Sequence, residues 1–208
     1  MISVNNLSFS FGKQVIFENL RLTISEEEIT TISGKNGVGK STLLKILVGF
    51  FSYTEGEIFF DKVMSSTPYG NFGLLLSSLN IYPMLTVVEN IKLKSIMLGL
   101  NGGGLGQVSE KYFEKFGLTQ YKDQRAHELS KGNQMKLALY MSILNEPLYL
   151  FLDEPTTNLD SEVTVELAHL LKELKAELKT TIVLTSHDSD FIKLLNGDVI
   201  DLNKMKAF

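Results

Sequence analysis

The sequence predicts an α/β fold: a mainly parallel sheet flanked by helices, with a helical insertion near its middle. Three observations carry this. After Gln134, helix and strand patterns alternate through Met135–Asn145, "LYLFLD", Val163–Leu178 and "TTIVLTS", as they do when helical crossovers join parallel strands. Earlier, the strand-like run Ile29–Ser33 leads through a glycine loop into a helical stretch from Ser41 to about Phe50. Between these two parts, residues 74 to about 130 carry helical periodicity in "LTVVENIKLKSIMLGL" and "SEKYFEKFGL", with no good strand between them.

The remaining elements fall around this frame. Ile2–Val4 and Val15–Leu22 are short β-rich runs, and "EGEIFFD" (55–61) reads as another strand. "NGGGLG" (101–106) is glycine-rich but follows no strand and lacks a lysine, so it reads as a linker. In "HELSKGNQMKLAL" (127–139), Ser130 is placed to cap a helix whose apolar residues pack inward. The chain is thus expected to form one domain over 1–208, with a core of about 1–73 and 135–208 and a helical subdomain of about 74–134.

Composition narrows the function classes. The 208 residues are 44% hydrophobic and 21% charged, enough to bury a full core. The net charge of −4, without a lysine-rich run, gives no reason to expect nucleic acid as a partner. The absence of cysteine excludes disulfides and thiolate metal sites and fits a reducing cytoplasm. "MISVNNLSFSFGK" lacks the basic start and apolar stretch of a signal peptide. Runs such as "ILVGFF" fall far short of the roughly 18 residues of a membrane span. The chain is expected to be soluble on its own, with any membrane role borrowed from a partner.

Two stretches carry chemistry. "ISGKNGVGKST" satisfies G-x-x-x-x-G-K-[ST] from Gly34 through Gly39, Lys40 and Ser41, between a strand and an apolar helix. The glycines permit torsions that turn N–H groups inward as an anion nest, and the helix adds the positive end of its dipole. Lys40 is expected to reach the β- and γ-phosphates of a nucleotide, and Ser41 to offer its hydroxyl to Mg²⁺. "LYLFLDEPTTNLD" places Asp153 and Glu154 where an apolar strand emerges, the end at which parallel sheets bind ligands. Asp153 suits Mg²⁺, and Glu154 suits proton removal from an attacking water. His187, in "LTSHDSD", ends the next strand and is expected at the γ-phosphate or the water. His127 and His169 lack such context and are left as surface residues.

Together these residues resemble the nucleotide-binding domains of ATP-binding cassette (ABC) proteins, over nearly the whole chain and in order. Gly34–Thr42 looks like Walker A, Leu148–Glu154 like Walker B with its catalytic glutamate, "TNLD" ending at Asp160 like the D-loop, and His187 like the switch histidine. "LSKGN" (129–133) looks like the family signature, usually LSGGQ, with its second glycine kept as Gly132. Phe11, before Gly12, occupies the place of the aromatic residue that stacks on adenine in the family. The resemblance implies the ABC ATPase fold: a P-loop NTPase core, an N-terminal antiparallel β region and an inserted helical subdomain. It implies ATP as substrate with Mg²⁺, contacted by Phe11, Gly34, Asn36, Gly37, Gly39, Lys40, Ser41 and Thr42. Ser130, Gly132 and Asp160 would act across a head-to-tail dimer with a second copy or a paralogue.

Two positions depart from the family pattern. Asn133 replaces the usual signature glutamine with a shorter amide. In the stretch "FGLLLSSLNIYP" Ser77 falls where the family carries its Q-loop glutamine, and no glutamine occurs between Gln14 and Gln107. A serine hydroxyl ends well short of a glutamine side chain. Either Ser77 meets the metal only through a water, or it is a loop residue and another group coordinates.

The resemblance implies the ATP-hydrolysing subunit of an ABC transporter, cytoplasmic and peripheral at the inner membrane face through a separate transmembrane permease. Analogy of "LSKGNQMKLAL" to bacterial efflux and peptide-export systems points to an exporter, as does the lack of a C-terminal regulatory extension. The alternatives are a soluble ABC ATPase outside transport and a low-turnover nucleotide-dependent regulatory module.

Overall fold

Two sheets share the chain, and the apolar pattern of each strand says which face it buries. The computed structural model describes residues 1–61, 71–76, 80–100 and 107–205, with the side chains of all but 107–109. The positions expected to form the Q-loop (Ser77) and the glycine linker (101–106) lie outside the described residues. β1 (Ile2–Phe11), β2 (Gln14–Ile24) and β4 (Glu55–Phe60) form an antiparallel sheet in the order β2-β1-β4. β1 and β2 largely alternate buried with more exposed residues, and β4 alternates half-buried with exposed ones, as a sheet with one covered face does.

The second sheet is parallel, in the order β5-β6-β7-β3-β8, from β3 (Ile29–Ser33), β5 (Phe72–Leu75), β6 (Tyr149–Asp153), β7 (Thr181–Thr185) and β8 (Asp198–Asp201). Every residue of β6 and β7 is buried, the near-continuous burial expected of strands covered on both faces. α1 (Lys40–Leu47) and the antiparallel sheet cover one face, where Leu43, Leu44, Tyr149, Phe151 and Val183 share a cluster. α4 (Lys131–Ser142) and α5 (Ser161–Leu178) cover the other, in a cluster that also takes in Ile91 of α2 (Val87–Met97) and Tyr112 of α3 (Gln107–Lys115). α6 (Ser189–Leu195) and α7 (Leu202–Met205) complete the chain.

β5 was not legible as a strand. It is four residues long and contains Gly73, where a Cβ would collide with the carbonyl oxygen of Ser142. The glycine lets the strand lie close beside the end of α4, at a cost in strand propensity that hides it in the sequence. α4 begins at Lys131, directly after the Ser130 cap read from the sequence and ahead of the Met135 start of its apolar pattern, and α1 ends at Leu47 rather than near Phe50. β5 and α4 therefore straddle the limits, about 74 and 134, expected for the helical lobe.

Side chains set where the helices start. Thr86 and Glu89 form a reciprocal capping box at α2: Thr86 Oγ1 accepts from Glu89 N at 3.2 Å, and Glu89 Oε2 accepts from Thr86 N at 2.8 Å. These bonds hold the Glu89 carboxyl below its ordinary range. α3 is tied to α5 through Glu177, which accepts from the Tyr112 hydroxyl (2.6 Å), Lys111 (2.7 Å) and Lys115 (3.0 Å). Bonds from Lys111, Tyr112 and Lys115 lower the Glu177 carboxyl to about 2. Burial, then Glu177, push the Tyr112 phenol upward.

Candidate functional site

Between β3 and α1 the chain turns through three glycines in left-handed torsions, with φ of 144° at Gly34, 80° at Gly37 and 106° at Gly39. Gly39, the residue before α1, also has no room for a side chain. A Cβ there would lie 2.9 Å from Ile16 Cγ2 and from Phe17 Cζ. The loop thus presses on the β1–β2 hairpin that carries Phe11, with Lys35, Asn36 and Gly37 exposed on its rim. The buried Lys40 side chain folds back into the loop and donates to the carbonyls of Gly34 (3.1 Å) and Lys35 (3.5 Å). Asn203 Oδ1 accepts from Lys35 N at 3.2 Å, anchoring the loop from the C-terminal side.

The ends of three neighbouring strands, β3, β7 and β6, bring the charged residues together. Asp153 closes β6, and its Oδ1 accepts from Ser41 Oγ and from Thr185 Oγ1, each at 2.7 Å. Thr185, the last residue of β7, also accepts from Glu154 N at 2.9 Å. Glu154 leaves the strand with a φ of 48°. Its Oε1 lies 3.5 Å from Lys40 Nζ, and its Oε2 lies 2.9 Å from His187 Nδ1. Lys40, Ser41, Asp153, Glu154 and His187, scattered along the sequence, are thus one connected cluster. His127 and His169 are exposed elsewhere.

The Ser41 hydroxyl and Asp153 carboxylate are hard oxygen donors meeting at one point, which fits Mg²⁺. No group of three or more His, Asp or Glu side chains is placed to hold a metal among the described residues. Mg²⁺ is commonly held by one or two protein oxygens, with substrate phosphate and water completing its shell.

The other expected residues stand apart. Ser130 and Asp160 cap α4 and α5, accepting from Asn133 N (3.2 Å) and Val163 N (2.8 Å). Gly132 is buried where a Cβ would lie 3.0 Å from both γ-carbons of Val163, so its bareness serves the packing of α4 on α5. Among the described residues, no hydrogen bond or ion pair joins Ser130, Gly132 or Asp160 to Lys40, Ser41 or Glu154. Thr42 is half-buried in α1. Phe11 is 47% exposed, with its ring edge-on to Phe9 (4.8 Å) and Phe51 (5.5 Å). A cavity of about 210 Å³ opens beside the cluster, bounded by Leu75, Lys131, Met135, Asp153, Glu154 and Asn158.

Two residues of the site were missed in the sequence. Thr185 reads as an ordinary β-branched strand residue, and only its place at a strand end beside Asp153 could have flagged it. Asn203 lies beyond the last strand read from the pattern and gave no signal.

A sequence model of the family described as ABC transporter matches residues 17–157. The chain belongs to the ABC transporter family. A relative within it is the spermidine/putrescine import ATP-binding protein PotA of Acetivibrio thermocellus, 32% identical over 98% of this chain and 58% of its own length. The chain thus spans little more than half of that relative. The lantibiotic transport ATP-binding protein SrtF of Streptococcus pyogenes is 31% identical over 90% of this chain and 80% of its own. Among solved structures, an ATP-binding cassette captured as a dimer in a post-hydrolysis state with ADP and phosphate superimposes with a TM-score of 0.80. It is 27% identical and covers 97% of this chain and 94% of its own. The parallel sheet flanked by helices, joined to an antiparallel sheet, is the ABC ATPase fold, and the chain is an ABC ATPase domain. No helix among the described residues is long and apolar enough to cross a membrane.

Proposed function

We propose that this ABC ATPase domain hydrolyses ATP at the Lys40–Glu154 cluster and works as the energy-supplying subunit beside a separate membrane protein. The single observation that carries this is the joining of Lys40, Glu154 and His187 in one contact chain beside the Ser41–Asp153 pair. Lys40 and the glycine-loop amides bind the β- and γ-phosphates, and Phe11 stacks on the base. Ser41 and Asp153 hold Mg²⁺, which when bound withdraws charge from the phosphates. Glu154, freed from Lys40 as phosphate takes that ammonium, accepts the proton of the attacking water. His187 orients that carboxylate and contacts the γ-phosphate.

Ser130 and Gly132 have no role in one chain's pocket on this reading. They face the γ-phosphate held by a second cassette, with the positive end of α4 toward it, and Asp160 lies at the same joint. The dimeric form of the solved cassette supports this arrangement. Exposed Met84, Val88, Ile96 and Met97 on or beside α2 give the helical lobe an apolar surface for a permease, which would hold the subunit at the inner face of the membrane.

Export is the direction favoured by "LSKGNQMKLAL". The reading is tested by co-expression with the membrane protein encoded beside it, measuring ATPase rate and co-purification. A stable complex with altered turnover is expected. A chain that hydrolyses ATP at the same rate with every such protein, and binds none, is a stand-alone ATPase. Transport into inverted vesicles of the complex checks direction.

A further inference from the structure

The chain leaving α1 is fixed at both ends. Gly49, with a φ of 78°, lets the helix close in a Schellman turn, in which Gly49 N donates to Ile46 O (3.0 Å) and Phe50 N to Lys45 O (2.8 Å). Further on, Thr54 ties the segment back to β1, its N and Oγ1 donating to the carbonyl of Ser8 at 3.0 and 2.8 Å. Between these anchors lies Phe51, half-buried.

Phe51 completes a set of three rings. It stacks on Phe9, with centroids 5.7 Å apart and planes 23° from parallel. Phe11 stands at 88° to Phe9 (4.8 Å) and at 89° to Phe51 (5.5 Å). These are the edge-to-face separations that aromatic pairs prefer. An aromatic ring at a hairpin tip, 47% exposed, turns between rotamers unless neighbours limit it. Phe9 and Phe51 limit Phe11 and leave the rest of its surface open to a ligand.

The two supports differ in origin. Phe9 is 6% exposed and belongs to the core beneath the antiparallel sheet. Phe51 comes from beyond the phosphate loop. Lys40 and Ser41 stand at the start of α1, and Phe51 follows the turn at its other end.

We infer that Phe51 is a positioning residue for nucleotide binding: it seats the Phe11 ring in the plane that receives the base. This rests on the reading of Phe11 as the base-stacking residue and adds the group that orients it. Through Phe51, the support for the base and the groups for the phosphates lie at opposite ends of one helix. A ring already held in its bound orientation gives up less side-chain freedom when the base arrives.

The test uses the full chain and measures, by competition against a fluorescent ATP with Mg²⁺ present, the affinities of ATP and of inorganic triphosphate, which has no base. Phe51→Ala is expected to weaken ATP about three- to tenfold and to leave triphosphate within about twofold. Phe51→Leu, which keeps apolar volume without the ring, loses ATP affinity in the same direction and carries the test if the alanine variant folds poorly. Phe51→Tyr restores binding, and Phe50→Ala, at an exposed neighbour, leaves it unchanged. Adding Phe51→Ala to Phe11→Ala costs nothing further, because Phe51 acts through Phe11. Equal losses for ATP and triphosphate, full ATP affinity in Phe51→Leu, or a further loss in the Phe11→Ala background overturns the positioning role. If Phe11→Ala weakens ATP and Phe51→Ala does not, only this inference falls. If Phe11→Ala itself binds ATP as tightly as the unaltered chain, the base-stacking reading falls with it.

Discussion

The Lys40 ammonium lies 3.5 Å from Oε1 of Glu154, so the groups proposed to meet the phosphate and the attacking water form an ion pair with each other. The pair is nearly shielded from solvent, with the two side chains 7% and 18% exposed. On the proposed mechanism an incoming phosphate competes for the same ammonium and frees the carboxylate to act as base.

Glu154→Gln separates these roles. The amide keeps the shape and cannot take a proton, so hydrolysis is expected to fall about 10²- to 10⁴-fold. ATP binding persists and a nucleotide-bound dimer accumulates. Single-turnover kinetics and gel filtration with ATP check this, and ordinary turnover in the variant removes Glu154 as the base.

Thr185→Val tests the tie between strand ends. The hydroxyl donates to Asp153 and accepts from Glu154 N, so valine leaves both partners short of a bond in a buried site. A stability loss of about 1–3 kcal/mol should accompany weaker Mg²⁺ dependence of nucleotide binding. Urea titration and Mg²⁺ titration read the two effects separately.

Gly132→Ala sets two effects of opposite sign against each other. Alanine is favoured in a helix by about 1 kcal/mol, but its Cβ would stand 3.0 Å from both Val163 γ-carbons, and overpacking costs about 1–3 kcal/mol. The single substitution should lower Tm. With Val163→Ala, which clears the space, the same change should raise Tm relative to Val163→Ala alone. A drop in both backgrounds would show that packing on Val163 is not what requires glycine.

The Glu177 tie predicts an acid limb. Its folded pKa is lowered from 4.5 to about 2, so its contribution is complete above about pH 4.5 and is lost as pH falls toward 2. Glu177→Gln should reduce stability at neutral pH and flatten the dependence of Tm on pH across that window. Parallel Tm curves for the two proteins would show that the carboxylate has the same affinity for protons folded and unfolded.

The sequence by itself determined the parallel strands β3, β6 and β7, the glycine loop and the acidic strand end. Each is written in short-range terms: β-rich runs, glycines before a lysine, and carboxylates directly after an apolar strand. Ile29–Ser33 appears in the structure with the limits read from the pattern. Tertiary structure decided what depends on distant partners. β5 exists because Gly73 lets it lie against α4 and pair with β6, which no local propensity records. Thr185 enters the site because β7 lies beside β6, and Asn203 because the chain end returns to the loop at Lys35. Periodicity reports the face a residue prefers, whereas contacts between remote segments determine which groups it meets there.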